Sequence, residues 1–509
     1  MKILSSLIAS LLLTPLPGVA AESAKPNVLI LYADDMGYGD LAVQNSKSKI
    51  PTPHLDKLAG EGMRFTDGHS SSGICTPSRY ALLTGRYHWR DFHTIVKALG
   101  ESVFTPEQLT LPEMLQASGY HTSAIGKWHL GWDWEALRKP DAGPKKVQAK
   151  SGNLEVHFSE YDWNKLIPDG PTAHGFDEYF GDNVINFPPY VWIKDDKVTE
   201  APDTQMSTEV WKPLNEGAWE CRSGPMITSW DPYDVLPEMT RKAVSFIESR
   251  KEAKEPFFLY FAFPSPHAPI VPAEEFEGSS EAGPYGDFVV QTDWSCGQLL
   301  DALDRAGIAD NTIVIFTADN GAEHYAYPRA LKYDHWSSEP FRGAKRDLYE
   351  GGHHVPFIVK WPSVIEAGSV SNALISQIDL MATLGAVAGS SIPPGEAADS
   401  YNMLPVWKGE KESARPALVH NTNPKSYAIR QGDWVLINAK SGDENKKGRS
   451  TAFEEKRGYE AGDKLPVELY NLREDPAQYK NLAKEHPEKV QAMQTLLKEI
   501  QKQSASLTK

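Results

Sequence analysis

The sequence has few cysteines, no long apolar run in its interior and a shortage of basic charge. Three cysteines occur among 509 residues, and no Cys-x-x-Cys pair is present, which argues against a structural zinc site. No stretch beyond the first residues approaches the length of a transmembrane helix. Lys and Arg number 52 against 68 Asp and Glu, a formal net charge of -16. This balance argues against nucleic acid as a partner, because phosphate backbones bind to basic surfaces.

The first residues have the pattern of a secretory signal. Lys2 supplies a positive charge, residues 3–13 form a short apolar core, and residues 18–21 are small, with cleavage predicted after Ala20 or Ala21. The apolar core is too short for a stable transmembrane helix. We therefore predict that residues 1–21 are a signal peptide and that the mature chain is exported, either periplasmic or secreted, without a membrane span.

Apolar runs alternate with helical periodicity through most of the chain. Continuous runs at residues 28–32, 257–263 and 312–317 are typical of strands buried on both faces of a sheet. Such alternation predicts an α/β fold with a doubly wound sheet, in which ligands bind beyond the carboxyl ends of the strands. Further strands are predicted at residues 122–125 and 356–360, and helices at residues 53–62, 109–119 and 287–306.

Composition divides the chain into two domains after the signal. The main domain is predicted over residues 22–390, and within it residues 131–238 are rich in Trp, Pro, Asp and Lys with little periodicity, which indicates loop insertions around a site. Residues 391–509 are predicted to form a C-terminal subdomain, in which residues 440–464 are a charged loop or hairpin. Its short antiparallel strands are expected at residues 417–421, 427–430, 434–438 and 468–470, and an amphipathic helix at residues 487–503.

Two acidic clusters end two strands that are far apart in the sequence. Asp34 and Asp35 follow the first strand, and Asp319 and Asn320 follow the strand at residues 312–317. Either pair alone would more often be a turn or a helix cap. Hard cations such as Ca²⁺ take carboxylate and amide oxygens as ligands, so the four side chains together predict a metal site at one sheet edge.

Cationic and proton-transferring side chains follow other core elements. Lys127 and His129 come just after the strand at residues 122–125, and His267 follows the aromatic strand at residues 257–263. Lys345 lies in a polar, glycine-containing segment before residues 349–352. A single Lys or His in a loop is usually just solvated, but several beside a predicted cation suit anion binding and proton transfer.

The most specific motif is CTPSRYALLTGR at residues 75–86, which begins at Cys75 and contains Arg79. A lone cysteine is most often a small buried hydrophobe, but this motif, with GKWH at residues 126–129 and YEGG at residues 349–352, resembles type I, formylglycine-dependent sulfatases of the alkaline-phosphatase-like superfamily. The resemblance runs from residue 26 to residue 362, with a weaker echo near residues 468–482. It implies a large mixed, mostly parallel sheet flanked by helices, with a smaller C-terminal subdomain of antiparallel sheet plus helix.

The resemblance also implies roles for the candidate residues. One Ca²⁺ per chain would be bound by Asp34, Asp35, Asp319 and Asn320 together with Cys75, which a formylglycine-generating or equivalent maturation enzyme would convert to Cα-formylglycine. Cys221 and Cys296 would then either form one disulfide or stay as two buried thiols. Where relatives often carry Arg after Gly-Gly-x, this chain has His353 and His354. The catalytic set implied is Cys75, Arg79, Lys127, His129, His267 and Lys345.

In the implied reaction, one hydroxyl of the formylglycine hydrate attacks the sulfur of a sulfate monoester and forms a sulfoenzyme intermediate. Arg79 orients the hydrate, and Lys127, Lys345 and His267 contact the sulfate oxygens. Asp319 helps to remove the proton of the attacking hydroxyl, and His267 or Lys345 protonates the departing alcohol. His129 then takes the proton of the second hydroxyl as sulfate leaves.

The predicted substrate is a sulfated carbohydrate. Residues 85–90 and the surroundings of residues 51–53 and 341–343 look similar to bacterial exo-acting 6-O-sulfatases on galactose or N-acetylgalactosamine. Two rival functions are a phosphate or phosphonate monoester hydrolase of the same superfamily and a non-catalytic carbohydrate-binding relative, and the intact catalytic set argues against the second. Candidate substrate contacts are His88, Arg90, His93, His174, Asn186, His324 and His335.

Overall fold

The computed structural model describes residues 25–144, 146–147, 154–207, 216, 220–445, 451–459 and 465–503. The predicted signal peptide, residues 1–21, lies outside the described residues. Within them, no helix combines the length and the apolar character that a membrane crossing requires.

A ten-stranded mixed sheet forms the centre of the main domain. Its four middle strands, β8, β1, β7 and β3, run parallel, and two of the outer strands, β9 and β5, are antiparallel to their neighbours. The order across the sheet is β10-β2-β9-β8-β1-β7-β3-β4-β5-β6. The strands are β1 (Asn27–Ala33), β2 (Met63–Phe65), β3 (His121–Gly126), β4 (Glu178–Gly181), β5 (Ile193–Lys194), β6 (Lys197–Val198), β7 (Phe257–Ala262), β8 (Thr312–Ala318), β9 (Phe357–Lys360) and β10 (Ser369–Ser371).

Helices cover both faces of this sheet. Every residue of β1 is buried, and since alternate side chains of a strand point to opposite faces, neither face of the sheet centre meets solvent. Helices α1, α4 and α5 pack together as one group, and α2, α3 and α7 as another. The helices are α1 (Pro53–Glu61), α2 (Cys75–Thr84), α3 (Leu111–Ala117), α4 (Val235–Ser249), α5 (Gly283–Ala306), α6 (Ala326–Tyr333), α7 (Leu380–Ala388), α8 (Leu404–Trp407), α9 (Thr451–Arg457) and α10 (Pro487–Gln503).

The C-terminal part of the chain forms a separate antiparallel sheet in the order β11-β12-β13-β14. Helix α10 packs on β12 and β13, and the cluster between them also takes in Ala81 of α2 and Trp89. The four strands are β11 (Leu418–Asn423), β12 (Ser426–Gln431), β13 (Trp434–Ile437) and β14 (Glu468–Asn471). The predicted fold class, a mostly parallel mixed sheet plus a small antiparallel sheet with a helix, is confirmed.

Two segments predicted as loops contain regular structure. Residues 131–238 supply β4, β5 and β6, which extend the sheet by three strands, and short paired strands at Thr204–Met206 and Gly224–Met226. These strands have two to four residues, too few for a periodic pattern, and backbone pairing with neighbours decides them. Helix α9 lies within residues 440–464, where Phe453 is buried against Trp336.

Further short pairings lie at Gly68–His69 with Ile375–Ser376 and at Lys146–Val147 with Leu154–Glu155. Of the two states left open for Cys221 and Cys296, the structure has the free thiols, both buried.

Candidate active site

Two neighbouring parallel strands end in acidic side chains. β1 is followed by Asp34 and Asp35, and β8 by Asp319 and Asn320. The two strands pair along the whole of β1, so these four residues start from the same edge of the sheet. The backbone N–H of Asp35 donates to Oδ1 of Asp319 at 3.1 Å, which ties the two strand ends together. The predicted convergence of the two acidic clusters is therefore present, and all four residues are buried.

Each carboxylate at this edge is paired with a buried cation. Pairing of this kind is expected, because a buried carboxylate without a partner loses far more hydration energy than its surroundings return. We call the four residues and their three cationic partners the sheet-edge cluster. The pairs are Lys127 Nζ with Asp34 Oδ2 at 2.5 Å, Lys345 Nζ with Asp35 Oδ1 at 2.6 Å, and Arg79 Nη2 with Asp319 Oδ2 at 2.7 Å.

Two of these carboxyl groups have oppositely shifted pKa values. Burial acts to raise the pKa of Asp35, but Lys345, His267 and Lys127 together outweigh it and hold the pKa below its usual range. Burial and the neighbouring Asp34 raise the pKa of Asp319 to about 6, although Arg79 opposes the shift. Asp319 is thus the group of this pair that exchanges a proton more readily near neutral pH.

The sheet-edge cluster also fits a divalent cation. Oδ1 of Asp34 and Oδ1 of Asn320 are buried without a hydrogen-bond partner. Ligand atoms of Asp34, Asp35, Cys75 and His267 all lie within 4.8 Å of one another. Unpaired buried carboxylate and amide oxygens beside further carboxylates are the donor set of a hard cation.

Local backbone geometry positions Lys127. Gly126 ends β3 with φ of +113°, and a Cβ at this position would lie 1.9 Å from the carbonyl oxygen of Ala262 on the neighbouring strand. Only glycine is compatible with that close approach and that backbone angle. The chain therefore turns at once after β3 and places Lys127 at the sheet edge.

Cys75 is the first residue of α2 and lies against the cluster. Its side chain is buried, and burial raises the pKa of the thiol to about 12, although Lys127 and Lys345 act in the opposite direction. A thiol with that pKa is protonated at neutral pH and is a poor nucleophile. The encoded side chain therefore does not supply a reactive group in this position.

His129 is held in one tautomer. It has a positive φ of 53°, and its Nε2 donates to the carbonyl oxygen of Val96 at 2.9 Å. Its Nδ1 is buried and has no hydrogen-bond partner. Burial, with Lys127 and Arg79 in support, lowers the pKa of His129 well below its usual value, so the ring is neutral with a free lone pair at Nδ1.

His267 has the reverse arrangement of its ring nitrogens. Nδ1 donates to the carbonyl oxygen of Ala268 at 2.6 Å, and Nε2 lies 3.7 Å from Oδ2 of Asp35. Burial lowers the pKa of His267 to about 4, although Asp35 opposes the shift. His267 Nε2 is thus the nitrogen available to a bound molecule.

A cavity of about 450 Å³ opens above these groups. This volume lies within the range of small-molecule sites. The cavity joins the reactive groups of the sheet edge to a wall of charged and apolar side chains. Its lining includes Cys75, Lys97, His129, Asn186, Phe187, Glu220, Arg222, His267, Glu323, Lys345 and Arg346.

Two family models match the chain. The model described as Sulfatase matches residues 26–390, more than half of the chain. A second, described as N-sulphoglucosamine sulphohydrolase, C-terminal, matches residues 342–439. The chain belongs to the sulfatase family.

Curated relatives and solved structures agree with this assignment. N-acetylgalactosamine-6-O-sulfatase from Bacteroides thetaiotaomicron is 33% identical over 506 residues, with 94% of each chain covered. Human N-acetylgalactosamine-6-sulfatase is 30% identical over 509 residues, with 96% of this chain and 88% of the relative covered. A solved structure from work on glycosaminoglycan metabolism by Bacteroides thetaiotaomicron matches with a TM-score of 0.77 and 31% identity, over 94% of this chain and all of that one. The protein is a sulfuric ester hydrolase.

A more distant structure carries the fold alone. Phosphonate monoester hydrolase of Agrobacterium radiobacter matches with a TM-score of 0.58 and 17% identity, over 94% of this chain and 96% of that one. This match shows that the two proteins share a fold, and it does not support phosphate or phosphonate ester hydrolysis by this chain.

The seven predicted substrate contacts of the sulfatase separate into two groups. Asn186 lines the cavity, with its Nδ2 donating to the carbonyl oxygen of Glu220 at 3.3 Å. The other six do not line it, although His324 contacts Glu323 of the cavity lining. Arg90 pairs with Asp399, His174 with Asp169 and His335 with Asp40, while His88 and His93 both contact Asn421, and His324 contacts Glu323.

Three of these candidates are engaged in ion pairs. Arg90, His174 and His335 are each paired with an aspartate at 2.5 to 2.8 Å, contacts that stabilise the fold, and their role in substrate binding stays a prediction. Polar identity alone does not separate a side chain that faces substrate from one that closes a buried ion pair.

Several cavity residues escaped the sequence analysis. Arg346 and Glu323 form an ion pair and stand close in sequence to Lys345 and Asn320, so adjacency to the motifs was an available signal. Arg222 comes from the segment predicted to be loops and carries no local pattern.

Asp182 is a further residue that sequence reasoning missed. It follows β4 as Asp34 follows β1, but β4 has four residues and gave no strand signal. Both carboxylate oxygens of Asp182 are buried without a hydrogen-bond partner. Burial raises the pKa of Asp182 to about 7, although Lys127 opposes the shift. The absence of a hydrogen-bond partner distinguishes Asp182 from the paired carboxylates of the sheet-edge cluster.

Proposed function

We propose that this sulfatase removes 6-O-sulfate groups from terminal galactose or N-acetylgalactosamine residues of a sulfated carbohydrate. The observation that carries this proposal is the position of Cys75, between the cations of the sheet-edge cluster and a cavity of about 450 Å³. The names of the curated relatives support the sugar and the 6-position. The cavity size supports action on a terminal sugar, because it matches a small molecule better than a long polymer segment.

Cys75 is proposed to be converted to Cα-formylglycine. The thiol as encoded is protonated, as its raised pKa shows, so nucleophilic chemistry at this position needs a different group. Hydrated formylglycine supplies two hydroxyl groups on one carbon, one to attack sulfur and a second that spares the enzyme a water nucleophile. The conversion requires a maturation enzyme as a partner of the unfolded chain.

One Ca²⁺ is proposed to bind at the sheet edge. Its ligands would be Asp34, Asp35, Asp319 and Asn320, together with the modified Cys75. A bound Ca²⁺ would offset the charge of the sulfate oxygens. Lys127 pairs with Asp34 at the sheet edge, and Lys345 pairs with Asp35. We propose that a bound Ca²⁺ would replace part of this pairing and leave the two ammonium groups able to contact the sulfate. Arg79, which is buried and donates to Asp319, is proposed to orient the hydrate.

The protonation states assign acid and base. Burial opposes the charge of Lys345, but Asp35, Cys75 and Glu323 together raise its pKa well above the usual value, which favours the protonated form. His267, with a pKa of about 4 in the free enzyme, gains basicity when a sulfate anion binds beside Nε2. We therefore assign His267 as the donor to the leaving alcohol. Asp319 accepts the proton of the attacking hydroxyl, and His129 Nδ1 that of the second hydroxyl.

Peptide mass spectrometry across residues 75–86 of the active protein tests the modification. We expect the aldehyde in place of the Cys75 thiol. Finding only the unmodified cysteine in fully active enzyme would overturn this part of the proposal.

A panel of defined sulfated saccharides tests the substrate. We expect sulfate release from terminal 6-O-sulfated galactose or N-acetylgalactosamine, little from the 4-O-sulfated isomers, and loss of release after chelation of Ca²⁺. Matched aryl sulfate and aryl phosphate serve as controls for the reaction class. Release from internal residues only would contradict exo action, and faster phosphate release would contradict the sulfatase preference.

Export to the periplasm or the medium is a separate proposal. It rests on the pattern of residues 1–21 and accords with a polysaccharide substrate, which does not cross a membrane unaided. Cell fractionation with N-terminal sequencing of the mature chain tests it, and an intact N-terminus on cytoplasmic enzyme would contradict it.

A further inference from the structure

Lys127 and Asp182 follow two neighbouring strands of the central sheet. β3 ends at Gly126, and Lys127 comes next. β4 ends at Gly181, and Asp182 comes next. The two backbones are close at this point, because a Cβ on Gly181 would lie 2.2 Å from the carbonyl oxygen of Gly126. Since β3 and β4 pair in parallel, continuing their register by two residues beyond the last pair places Lys127 beside Asp182.

Contacts on both sides of this position keep the two chain segments together. The hydroxyl of Tyr179 on β4 lies 2.9 Å from the carbonyl oxygen of Gly126 and 2.7 Å from that of Asp182, and it can donate to either. One residue further on, the backbone N–H of Trp128 donates to the carbonyl oxygen of Asn183 at 3.2 Å. Residues at the same register position of paired strands have their side chains on the same face. The lysine and the aspartate therefore share one face of the sheet edge.

The carboxyl group of Asp182 lacks the partner that its burial calls for. Asp182 is 1% exposed, and both of its carboxylate oxygens are buried without a hydrogen-bond partner. Burial raises the pKa of Asp182 to about 7, and among its charged neighbours Lys127 opposes the shift most strongly. Buried polar atoms without a partner are rare in folded proteins, and one beside an active site points to a partner in another state of the enzyme. The structure thus has an unused acceptor next to Lys127.

Lys127 pairs with a carboxylate that the proposed calcium ion also needs. Its Nζ donates to Oδ2 of Asp34 at 2.5 Å, and Lys127 is 1% exposed. Asp34 is one of the ligands proposed for Ca²⁺, and a metal ion and an ammonium group on the same carboxylate repel each other. A buried ammonium group that loses its counterion is strongly destabilised unless another anion replaces it. The carboxyl group of Asp182 is in the position to do so.

Of the two cations near Asp182, Lys127 is the one that can change partner. The charged and titratable groups that act on Asp182 or respond to it are Lys127, Asp34, Arg79, Tyr179 and Tyr190. Arg79 donates to Oδ2 of Asp319 from both Nε and Nη2, at 3.1 and 2.7 Å, which fixes its guanidinium group. A lysine carries a compact charge on a flexible chain, so it moves between acceptors more readily than an arginine held by two hydrogen bonds.

We propose that Asp182 is a positioning residue for Lys127, which leaves Asp34 when Ca²⁺ binds and pairs with Asp182 instead. This inference rests on the calcium site of the proposed function. Asp182 gives up its proton to solvent as the ammonium group arrives, so one buried carboxylate again faces one buried cation. Lys127 is then held in its charged form where it can contact the sulfate, and Asp182 itself touches neither the sulfate nor the metal.

Calorimetric calcium titration of the wild type and a set of variants tests this pair. In Asp182→Asn, Lys127 has no second carboxylate and competes with Ca²⁺ for Asp34, so we expect the calcium affinity to fall by about 10-fold. In Lys127→Met the competition is absent, so adding Asp182→Asn should change the affinity by less than about twofold. Asp182→Glu, which restores a carboxylate, should recover part of the loss. A residue with a purely structural role would show no such dependence on Lys127.

Asp293→Asn is the matched control and should keep the calcium affinity of the wild type. Burial raises the pKa of Asp293 to about 7 as well, but its carboxylate accepts from the backbone N–H groups of His54 and Leu55 on α1, outside the sheet-edge cluster. Equal affinities in the wild type and Asp182→Asn would overturn the inference alone, as would an equal loss in the Lys127→Met background or in Asp293→Asn. A wild type that binds no Ca²⁺ would overturn the calcium site and the inference together.

A crystal structure of the calcium-loaded wild type gives a second measurement that needs no variant. We expect Lys127 Nζ to lie within about 3.2 Å of a carboxylate oxygen of Asp182, the distance of a hydrogen bond. An ammonium group that still pairs with Asp34 in the loaded protein, while Asp182 keeps both oxygens unpaired, would overturn the inference.

Discussion

The sheet-edge cluster and the group formed by His69, His353 and His420 are both buried and both rich in metal-ligating groups, but they are built in opposite ways. In the first, three carboxylates meet three cations within 2.5 to 2.7 Å. In the second, the ring of His420 stacks on that of His353, and only the two nitrogens of His420 are buried without a hydrogen-bond partner. Paired charges can exchange partners with an anionic substrate, whereas stacked rings contribute packing. The difference indicates chemistry at the first site and packing at the second.

The largest effect is expected from Cys75→Ser. We expect multiple turnover to fall by about 10⁴-fold or more, because the variant cannot supply the second hydroxyl group of a hydrate. Sulfate release over many turnovers is the measurement. Cys221→Ser, which changes another buried thiol, should keep most of the activity, and turnover by Cys75→Ser near the wild-type rate would refute the proposed nucleophile.

Lys345→Met tests the paired charges of the sheet-edge cluster. We expect kcat to fall by about 10²- to 10³-fold, because a preorganised cation is lost from the site of the sulfate oxygens. The variant also leaves Asp35 without its cation, so Ca²⁺ should raise its Tm by more than that of the wild type. If Ca²⁺ raises the Tm of the variant and of the wild type by the same amount, then Lys345 and the metal do not share Asp35.

Asp182→Asn compares an unpaired carboxylate with the paired ones. The native carboxyl, with a pKa of about 7, keeps its proton between about pH 4 and pH 7, where the unfolded chain has lost it. The wild type therefore loses stability as the pH rises through that window, and the variant lacks this loss. Between pH 4 and pH 8, we expect the free energy of unfolding of the variant minus that of the wild type to rise by on the order of 2–4 kcal/mol. Parallel urea titrations that give a constant difference would contradict the raised pKa.

The smallest effect is expected at the cavity wall. Asn186→Ala should raise KM for the sulfated sugar by about 5- to 10-fold, the loss of one hydrogen bond of ordinary strength. His335→Gln, which alters a substrate candidate that contacts Asp40 and does not line the cavity, should change KM less than about twofold. The reverse order of effects would mean that the cavity described here is not where the sugar binds.

Prediction from the sequence was strongest where function follows from strand ends. β1 and β8 are long apolar runs, so the positions at which they end can be read from the sequence. This is why the sequence analysis selected the polar residues after them, Asp34, Asp35, Asp319 and Asn320. Asp182 was missed because β4 has four residues and owes its existence to pairing with β3. The ion pairs of Arg90 and His335 could not be predicted, because their aspartate partners come from distant positions in the chain.

The sequence by itself determined the family, the sheet strands of the centre and the candidate residues at their ends, because short motifs and continuous apolar runs record local requirements. Tertiary structure decided which polar side chains face the cavity, where the outer strands join the sheet and how His69, His353 and His420 meet. Those features depend on contacts between residues up to 351 positions apart, such as the pair of His69 on its short strand and His420 on β11. No local pattern in the chain encodes such a contact, since the folded backbone alone brings the two side chains together.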